Sequence, residues 1–311
     1  MKATDEAQPG VLLVDKPEGP TSHDVVAMAR RALAIRRVGH TGTLDPFASG
    51  LLLLCVGRAT RLVEYFHPLP KCYEASLVLG SETATDDHTG EERMRSDSWK
   101  SLDRAAVIQA TSAFEGPQSQ VPPVYSARKI GGRRAHRLAR EGREFEVAPS
   151  EITIHSIDIT RWEPPQLHLV VRVSTGTYVR ALARDLGRAL GCGAHLSALR
   201  RTSIGPFAVG SARRVEELET AAESGEDDPP LLTPLEALDW LPRRELSGSE
   251  VVEIAHGRPV DAVAIAEPRI SGFVSIDPGG GPVLLVYGGE LAAIAKRDGS
   301  LLRPVKVLRA A

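Results

Sequence analysis

The order of apolar and polar positions divides the chain into strands and helices that follow no regular strand–helix–strand rhythm. Apolar runs bounded by turn residues predict buried strands. A capping signal at Thr21 or Ser22, with Asp24 three residues after Thr21, predicts a helix start. The strands are predicted in GVLLVDKP, LLLLCVG, CYEASLVLG, ITIHSIDITRW and LHLVVRVSTGTYVR. The helices are predicted from the capping signal to about residue 33, in ATRLVEYF, over 101–114, in AHRLAREG and in ALARDLGRALG.

This mixture predicts an α+β fold with a mixed, largely antiparallel sheet flanked by helices. Residues 116–134 are predicted to be irregular, because two consecutive prolines and Gly131-Gly132 interrupt regular structure. After a break near 241–246 the pattern changes to short strands, with a hairpin-turn signal at Asp298-Gly299. These strands are predicted in GFVSI, PVLLVYGG, ELAAIAKRDG and LLRPVKVLR. We therefore predict a main domain over 1–241 and a small, mostly-β binding module over 242–311.

Composition narrows the class of protein. The 311 residues are 42% hydrophobic and 25% charged, as in an ordinary globular protein of about two domains. The first ten residues carry two acids and no apolar core, so we expect no secretory signal there, and the apolar run Leu51 to Val56 is too short to span a bilayer. Three widely spaced cysteines form neither a disulfide framework nor a zinc motif. We expect a cytoplasmic protein without a metal.

Charge is distributed unevenly along the chain. The net charge of −2 argues against a general polyanion binder. Between Arg128 and Arg143, however, seven Lys or Arg residues accompany a single acid, Glu141. Such a patch suits contact with phosphates, and it is equally typical of a solvated basic helix face. Charge alone leaves both interpretations open.

The segment GHTGTLDPFASG, residues 39–50, places Asp45 before Pro46 and directly ahead of an apolar run. Proline favours an extended conformation at Asp45, and Gly39 and Gly42 permit a sharp loop. Asp45 either caps the next segment in an Asx turn or does chemistry. The loop lacks the GK[ST] ending of a phosphate-binding Walker loop. In the DKTGTLT loop of P-type ATPases the aspartate precedes Thr-Gly-Thr, so that comparison fails as well.

Other candidate residues are ambiguous when each is taken alone. If the strand before Tyr178 stays extended, Tyr178 and Arg180 share a face, and Arg180 can hold a carboxylate in its ionised form. The alternative is a surface pair at a helix start. Tyr73 either stacks on a ligand or packs in the core, and the core position is commoner for a lone tyrosine in a strand. His40 and Lys16 indicate no role by themselves.

Taken together, five segments in consistent order over about residues 11–210 resemble the TruB-type tRNA pseudouridine synthases. They are LLVDKPEGPTS, GHTGTLDPFASGLLLLCVGRATR, KCYEASLVLG, VPPVYSARKIGGRRAHRLAREG and STGTYVRALARDLGRALGCGAHLSALRRTSIGPF. The final module is similar to the PUA domain of these enzymes, in its strand pattern and its DGSLLRPVKVL ending. The resemblance implies conversion of uridine 55 in the tRNA T-arm to pseudouridine, without cofactor or metal, and an RNA-binding role for residues 242–311.

The resemblance also implies roles for five residues around the base. Asp45 is implied to be the catalytic nucleophile and Arg180 its ion-pair partner. Tyr178 is implied to accept a proton beside the base. Tyr73 is implied to stack on the flipped-out base, and Leu199 to pack against the uracil.

Further residues are implied to contact the RNA outside that centre. His40 fills the space near the displaced nucleotide, and Lys16 helps to shape the wall of the site. A basic insertion over about 119–147 grips the T-loop, and the residues expected to do so are Arg128, Lys129, Arg133 and Arg137. His136 departs from the tyrosine of many family members, but its ring is planar and can still stack.

The chemistry fits these expectations. Pseudouridylation breaks an N-glycosidic bond, turns the uracil and rejoins it through carbon 5, so a carboxylate suffices without redox chemistry. Attack of Asp45 at C1′ of the ribose, attack at C6 of the base and abstraction of a 2′ proton are all compatible with the sequence. Two alternatives stand beside a stand-alone, monomeric enzyme without an obligate protein partner. One is an RNA-binding or tRNA-folding module in which catalysis is secondary, and the other is a guide-RNA-dependent relative.

Overall fold

The computed structural model describes residues 8–126, 128–130, 133–134, 141, 145–224, 231–273 and 281–308. Within these residues, ten strands form one mixed sheet and five further strands form a second, C-terminal sheet that curls into a half-barrel. Two strand pairs stand apart as small hairpins. No helix in the described ranges has the length and apolar character needed to cross a membrane. The predicted α+β fold is confirmed.

The elements are numbered in chain order. The helices are α1 (Ser22–Ala32), α2 (Val63–Phe66), α3 (Arg104–Ser112), α4 (Val179–Ala189), α5 (Val215–Ser224) and α6 (Gly248–Ala255). The strands of the first half are β1 (Gly10–Lys16), β2 (Val38–His40), β3 (Ser49–Val56), β4 (Lys71–Leu79), β5 (Ser81–Thr83), β6 (Glu92–Arg95), β7 (Gly116–Gln120), β8 (Lys129–Ile130) and β9 (Arg133–Arg134). Those of the second half are β10 (Ser150–Glu163), β11 (Gln166–Val173), β12 (Ala194–Ile204), β13 (Phe207–Ala208), β14 (Arg213–Arg214), β15 (Arg243–Glu245), β16 (Val260–Asp261), β17 (Pro282–Tyr287), β18 (Glu290–Asp298) and β19 (Leu301–Val307).

The main sheet runs in the order β14-β1-β3-β12-β4-β11-β10-β7, with β2 paired to β3 and β13 paired to β12. Among the described strand pairs of this sheet, only β1–β14 and β3–β12 are parallel, so the sheet is largely antiparallel. Strand β3 sits between β1 and β12, and every residue from Gly50 to Val56 is buried. Its alternate side chains enter two different hydrophobic cores, one on each face of the sheet. This explains why its sequence is continuously apolar instead of alternating.

Local signals set the first helix. Thr21 caps α1, because its hydroxyl accepts from the Asp24 amide while the Asp24 carboxylate accepts from the Thr21 amide. The predicted capping signal is therefore confirmed. On the sheet side, Val25, Val26 and Ala29 pack into the core above β1 and β3.

Two predictions about the sheet were wrong. Residues 116–120 form β7 and are not irregular; Pro117 is tolerated because β7 is an edge strand paired only to β10. Residues 194–204, for which no strand was predicted, form β12 in the middle of the sheet. Its pairing with β4 is irregular at 196/198 and 201/203. These irregularities interrupt the alternation of apolar and polar residues that predicts a strand.

The C-terminal sheet pairs in the order β15-β17-β18-β19-β16. Three of the four strands predicted there are confirmed as β17, β18 and β19, and Gly299 turns the chain between β18 and β19 at a φ of 60°. In the fourth, GFVSI, Gly272 and Phe273 lie in a bend, and residues 274–276 lie outside the described ranges. Leu284 and Ile294 pack in one core with Phe66 and Trp240, so the two sheets share buried apolar surface.

Gly50 is the glycine of the GHTGTLDPFASG segment that the backbone requires. Its φ is +105°, and a Cβ placed there would lie 2.2 Å from the carbonyl oxygen of Arg201. Gly39 has room, since its nearest neighbour would be a Thr60 methyl at 3.9 Å. We expect Gly50→Ala to lower the free energy of unfolding by about 3 kcal/mol or more.

The matched control is Gly39→Ala, which we expect to stay within about 1 kcal/mol of the wild type. Urea denaturation of both variants checks this. Equal stability of the two variants would contradict the close approach of β3 to β12.

Candidate active site

Asp45 lies in the loop between β2 and β3, and two contacts fix that loop. The Ser22 hydroxyl accepts from the Leu44 amide at 2.9 Å and donates to the Leu44 carbonyl at 3.2 Å. The Ala48 amide donates to the Asp45 carbonyl at 3.1 Å. Asp45 therefore closes the turn through its backbone, and its carboxylate contacts an arginine from another part of the chain.

That arginine is Arg180, whose side chain is 6% exposed. Its Nε lies 2.9 Å from Asp45 Oδ2, and its Nη2 donates to Asp45 Oδ1 at 3.2 Å. Nη1 donates to the Thr85 carbonyl and Nη2 to the Tyr125 carbonyl, each at 2.9 Å, and Nη1 lies 3.4 Å from an Asp87 oxygen. The planar guanidinium is held on several sides, which orients the Asp45 carboxylate.

Asp87 is a residue that sequence reasoning missed. Its Oδ1 accepts from the Thr89 amide at 3.0 Å and from the Thr85 hydroxyl at 2.7 Å, and its other oxygen faces Arg180. The segment TATDDHTG looks like a polar turn, and in isolation it is one. The sequence did contain a signal for a functional acid, because two consecutive aspartates stand among threonines. However, only the fold shows that the second aspartate lies beside Arg180.

The ionisation of Asp45 is set by opposing effects. Burial raises the pKa of its carboxyl above the ordinary value, Arg180 acts in the opposite direction, and the Asp87 carboxylate raises the pKa further. The Asp45 side chain keeps 36% of its surface exposed, and that surface faces a cavity. Arg180 is therefore the main group that favours the ionised form, and the charge of Lys16 adds to its effect.

The cavity has a volume of about 430 Å³ and contains Asp45 in its wall. Tyr73 on β4 and Leu199 on β12 line it from the sheet, where Ala75 pairs with Leu199 and Tyr73 with Arg201. Tyr178 and Arg180 line it as well. Thus five residues named from the sequence, Asp45, Tyr73, Tyr178, Arg180 and Leu199, come together in one cavity.

Of the two arrangements open for Tyr178 and Arg180, the structure shows the pair at a helix start and not the extended strand. Strand β11 ends at Val173, Gly176 turns the chain at a φ of +82°, and Tyr178 is the N-cap residue of α4. The Gln120 side chain accepts from the Tyr178 amide at 2.9 Å and donates to the Tyr178 carbonyl at 3.1 Å. Tyr178 and Arg180 therefore reach the cavity from the start of a helix, which the side chain of Gln120 holds in place.

His40 and Lys16 do not line the cavity. Lys16 is fully buried below the loop, and its Nζ donates to the carbonyls of Pro17 at 2.7 Å and Pro46 at 3.3 Å. Burial lowers the pKa of Lys16 to about 8. His40 meets His23 edge to face with ring centres 5.1 Å apart.

The insertion residues also lie outside the cavity lining. Arg128 contacts the Ser150 hydroxyl, and the backbones of Lys129 and Arg133 form the β8–β9 hairpin. Arg133 pairs with Glu141 at 2.5 Å. The predicted helix AHRLAREG, which includes Arg137, lies outside the described ranges except for Glu141.

Lys71, Arg201 and Thr177 line the same cavity and were not named from the sequence. Lys71 stands two residues before Tyr73 and Arg201 two residues after Leu199, so each lies on the same strand face as a recognised residue. Strand periodicity was the signal that could have found them. In the described part of the chain, no three His, Cys, Asp or Glu side chains cluster as a metal site would.

Two family models together match most of the chain. The model of the TruB family pseudouridylate synthase N-terminal domain matches residues 30–179, and that of the tRNA pseudouridylate synthase B C-terminal domain matches residues 180–238. The chain belongs to the TruB family of pseudouridylate synthases. Its cavity is thus formed where the two matched segments meet, with Tyr178 in the first and Arg180 in the second.

Curated TruB relatives cover nearly the whole chain. A protein of Thermobifida fusca (strain YX) named tRNA pseudouridine synthase B is 44% identical, over 96% of this chain and 98% of its own length. The protein of the same name from Paenarthrobacter aurescens (strain TC1) is 40% identical over 96% of this chain and 94% of its own. That of Symbiobacterium thermophilum is 46% identical over 80% and 82%.

Solved structures of similar fold come from multicomponent complexes. A crystal structure of a Cbf5-Nop10-Gar1 complex contains a chain with a TM-score of 0.72 and 28% identity, covering 97% of this chain and 85% of that one. A structure of an H/ACA RNP bound to a substrate RNA containing 2′-deoxyuridine gives a TM-score of 0.71 and 27% identity, with coverage of 96% and 85%. The fold of those chains therefore extends through most of this chain.

His40 makes a pH-dependent contribution to stability. Burial, with the charges of His23, Arg201 and His67, lowers the pKa of His40 from 6.5 to about 4. Between these values the unfolded chain binds more protons than the folded one, so stability falls as the pH falls from 6.5 towards 4. We expect His40→Gln to reduce the loss of stability between pH 7.5 and pH 5 by about 1 to 2 kcal/mol.

Urea denaturation at the two pH values measures this difference, and His256→Gln at an exposed position is the control. An unchanged loss of stability in His40→Gln would show that the histidine is protonated in the folded protein.

Proposed function

We propose that this protein converts the uridine at position 55 of tRNA to pseudouridine, with Asp45 as its catalytic carboxylate. The observation that carries the proposal is the Asp45 carboxylate, which is ion-paired to the buried Arg180 and lines a cavity of about 430 Å³. The names of its curated relatives support tRNA as the substrate. A uridine in a folded T-loop must leave its stack to reach such a cavity, at a cost of a few kcal/mol.

Asp45 acts as a nucleophile in this proposal. An ionised carboxylate attacks C1′ or C6 of the nucleotide, and the N-glycosidic bond breaks. The uracil turns, carbon 5 bonds to C1′, and the bond between Asp45 and the nucleotide breaks, which frees the carboxylate. Arg180 keeps the carboxylate ionised and aimed, because it opposes the effect of burial on the Asp45 pKa. Asp87 lies on the same guanidinium and orients it.

The remaining cavity residues hold the base while it is detached. Tyr73 and Leu199 come from adjacent strands and offer an aromatic ring and an apolar side chain to the two faces of a uracil. Tyr178, at the helix start, accepts the proton that leaves carbon 5. A walled cavity also limits the access of water, which would otherwise let the free base escape.

The RNA outside the cavity is gripped by two other parts of the chain. The basic insertion over about 119–147, with Arg128, Lys129, Arg133 and Arg137, contacts the T-loop, and His40 fills the space near the displaced nucleotide. Residues 242–311 form a PUA-like RNA-binding domain. Phosphate contacts from both offset the cost of extruding the uridine. Lys16 serves the site from below, through its contact with the Asp45 loop.

The direct test is Asp45→Asn. We expect tritium release from tRNA labelled at carbon 5 of uridine to fall by about 10³-fold or more, while the Kd for tRNA changes by less than about tenfold. The amide keeps the size of the side chain and removes its charge.

The matched control is Asp86→Asn. Asp86 is also a partly buried carboxylate paired with an arginine, Arg184, at 3.0 Å, but it does not line the Asp45 cavity. We expect near-normal turnover from this control. Normal turnover in Asp45→Asn would exclude Asp45 as the nucleophile. Rescue of a deletion phenotype by the Asp45→Asn protein would instead favour a tRNA-folding module in which catalysis is secondary.

The solved structures of similar fold raise a second candidate, an enzyme that depends on a guide RNA and protein partners. The higher identity to bacterial proteins named tRNA pseudouridine synthase B favours a stand-alone enzyme. We expect the purified protein alone to form one pseudouridine, at position 55, in an unmodified tRNA transcript. Mapping of pseudouridine in that transcript checks this, with Asp45→Asn as the blank. A transcript modified only after addition of a guide RNA would support the second candidate.

A further inference from the structure

Two cations lie side by side with the recognised residues on the floor of the Asp45 cavity. Lys71 and Tyr73 point from one face of β4, and Leu199 and Arg201 from the same face of β12. Tyr73 and Arg201 are directly paired across the two strands. The cavity therefore has a positive wall beside the aromatic ring that is expected to meet the base.

Neither cation has an anionic partner in the part of the chain that the structure describes. Lys71 Nζ donates to the His67 carbonyl at 2.7 Å. Arg201 Nε donates to the Leu51 carbonyl at 2.7 Å, and its Nη2 to the Gly42 carbonyl at 3.4 Å. These acceptors are neutral. By contrast, the third cation of the cavity, Arg180, faces two carboxylates.

This excess positive charge is costly in the free protein. Arg201 is only 2% exposed. Burial, with the charge of Arg201 nearby, lowers the pKa of Lys71 to about 8. Partly desolvated cations without a counter-charge destabilise a fold, unless an anion enters to relieve them.

We propose that Lys71 and Arg201 form a phosphate subsite, which binds a backbone phosphodiester next to the target uridine. The proposal rests on the RNA substrate proposed above, because RNA carries one phosphate for each nucleotide that enters the cavity. Arg201 is fixed by two main-chain carbonyls and presents a rigid group. Lys71 makes one contact, with the His67 carbonyl, and a phosphate oxygen can replace it.

This subsite gives the flipped nucleotide two points of attachment. The base meets Tyr73 and Leu199, and the phosphate meets the neighbouring wall, so the ribose is held between them close to Asp45. A phosphate bound in the cavity stabilises the extruded uridine relative to the uridine stacked in the T-loop. Phosphate contacts elsewhere stabilise the bound RNA in the same way.

The test is a double-mutant cycle between the protein and the RNA. A T-arm hairpin is prepared with single phosphodiesters around the target uridine replaced by neutral methylphosphonates. Its Kd is measured for the wild type, Lys71→Met and Lys71→Arg. The control is Lys100→Met, which removes the same charge from an exposed lysine that pairs with Asp97 and does not line the cavity.

We expect Lys71→Met to bind the unmodified hairpin about tenfold more weakly, and to lower the salt dependence of binding by about one ion. One methylphosphonate, on the 5′ or the 3′ side of the target, should weaken wild-type binding by the same factor as Lys71→Met does. The same methylphosphonate should not weaken the binding of Lys71→Met any further. Lys71→Arg should keep most of the affinity. Additive losses at every position, or equal losses in Lys100→Met, would overturn the proposal.

Thermal denaturation provides a second measurement. Because Lys71→Met removes an uncompensated cation, we expect the Tm of the free protein to rise, while Lys100→Met leaves it near that of the wild type. A fall in Tm would contradict the charge imbalance from which the proposal starts. The binding cycle needs no turnover, so the two proposals can fail separately. Non-additive binding without pseudouridine formation would support the phosphate subsite and refute the proposed function. Additive binding with pseudouridine formation would refute the subsite and support the proposed function.

Discussion

The guanidinium of Arg180 is the interaction on which the site depends. A buried arginine must place its N–H groups against acceptors, and here the acceptors come from three segments far apart in the chain: the Asp45 loop, the Thr85 to Asp87 turn and Tyr125 at the root of the insertion. Satisfying one side chain therefore fixes their relative positions. The Asp45 carboxylate is aimed as a consequence of that packing requirement.

Charge in the cavity is divided between two walls. On one, Arg180 faces the carboxylates of Asp45 and Asp87, and its charge opposes the rise in the Asp45 pKa that burial and Asp87 cause. On the other, Lys71 and Arg201 face only carbonyl groups. The first wall suits a nucleophile and the second a phosphate, and Tyr73 lies between them on the sheet. The arrangement suits one nucleotide of a polyanionic chain.

The sheet holds these walls in register. Strand β3 is apolar on both faces, because separate cores cover it, and it runs beside β12, where Gly50 permits close contact with the Arg201 backbone. The loop that carries Asp45 is thereby held near the strand that carries Leu199 and Arg201. The C-terminal sheet contributes Leu284 and Ile294 to one of the same cores. The catalytic body and the terminal module are thus joined through shared apolar packing.

The sequence by itself determined the α+β class, the buried β3, the capped start of α1 and, through the order of five motifs, the family. It also named five of the residues that line the cavity. Only the tertiary structure decided that Tyr178 and Arg180 stand at a helix start, that residues 194–204 form a central strand, and that Asp87, Lys71 and Arg201 belong to the site. Capping and burial patterns are local and leave a periodic trace, whereas an ion pair between residues 45 and 180, or a cation across from Tyr73, depends on which strands become neighbours. That choice is made by the packing of the whole sheet.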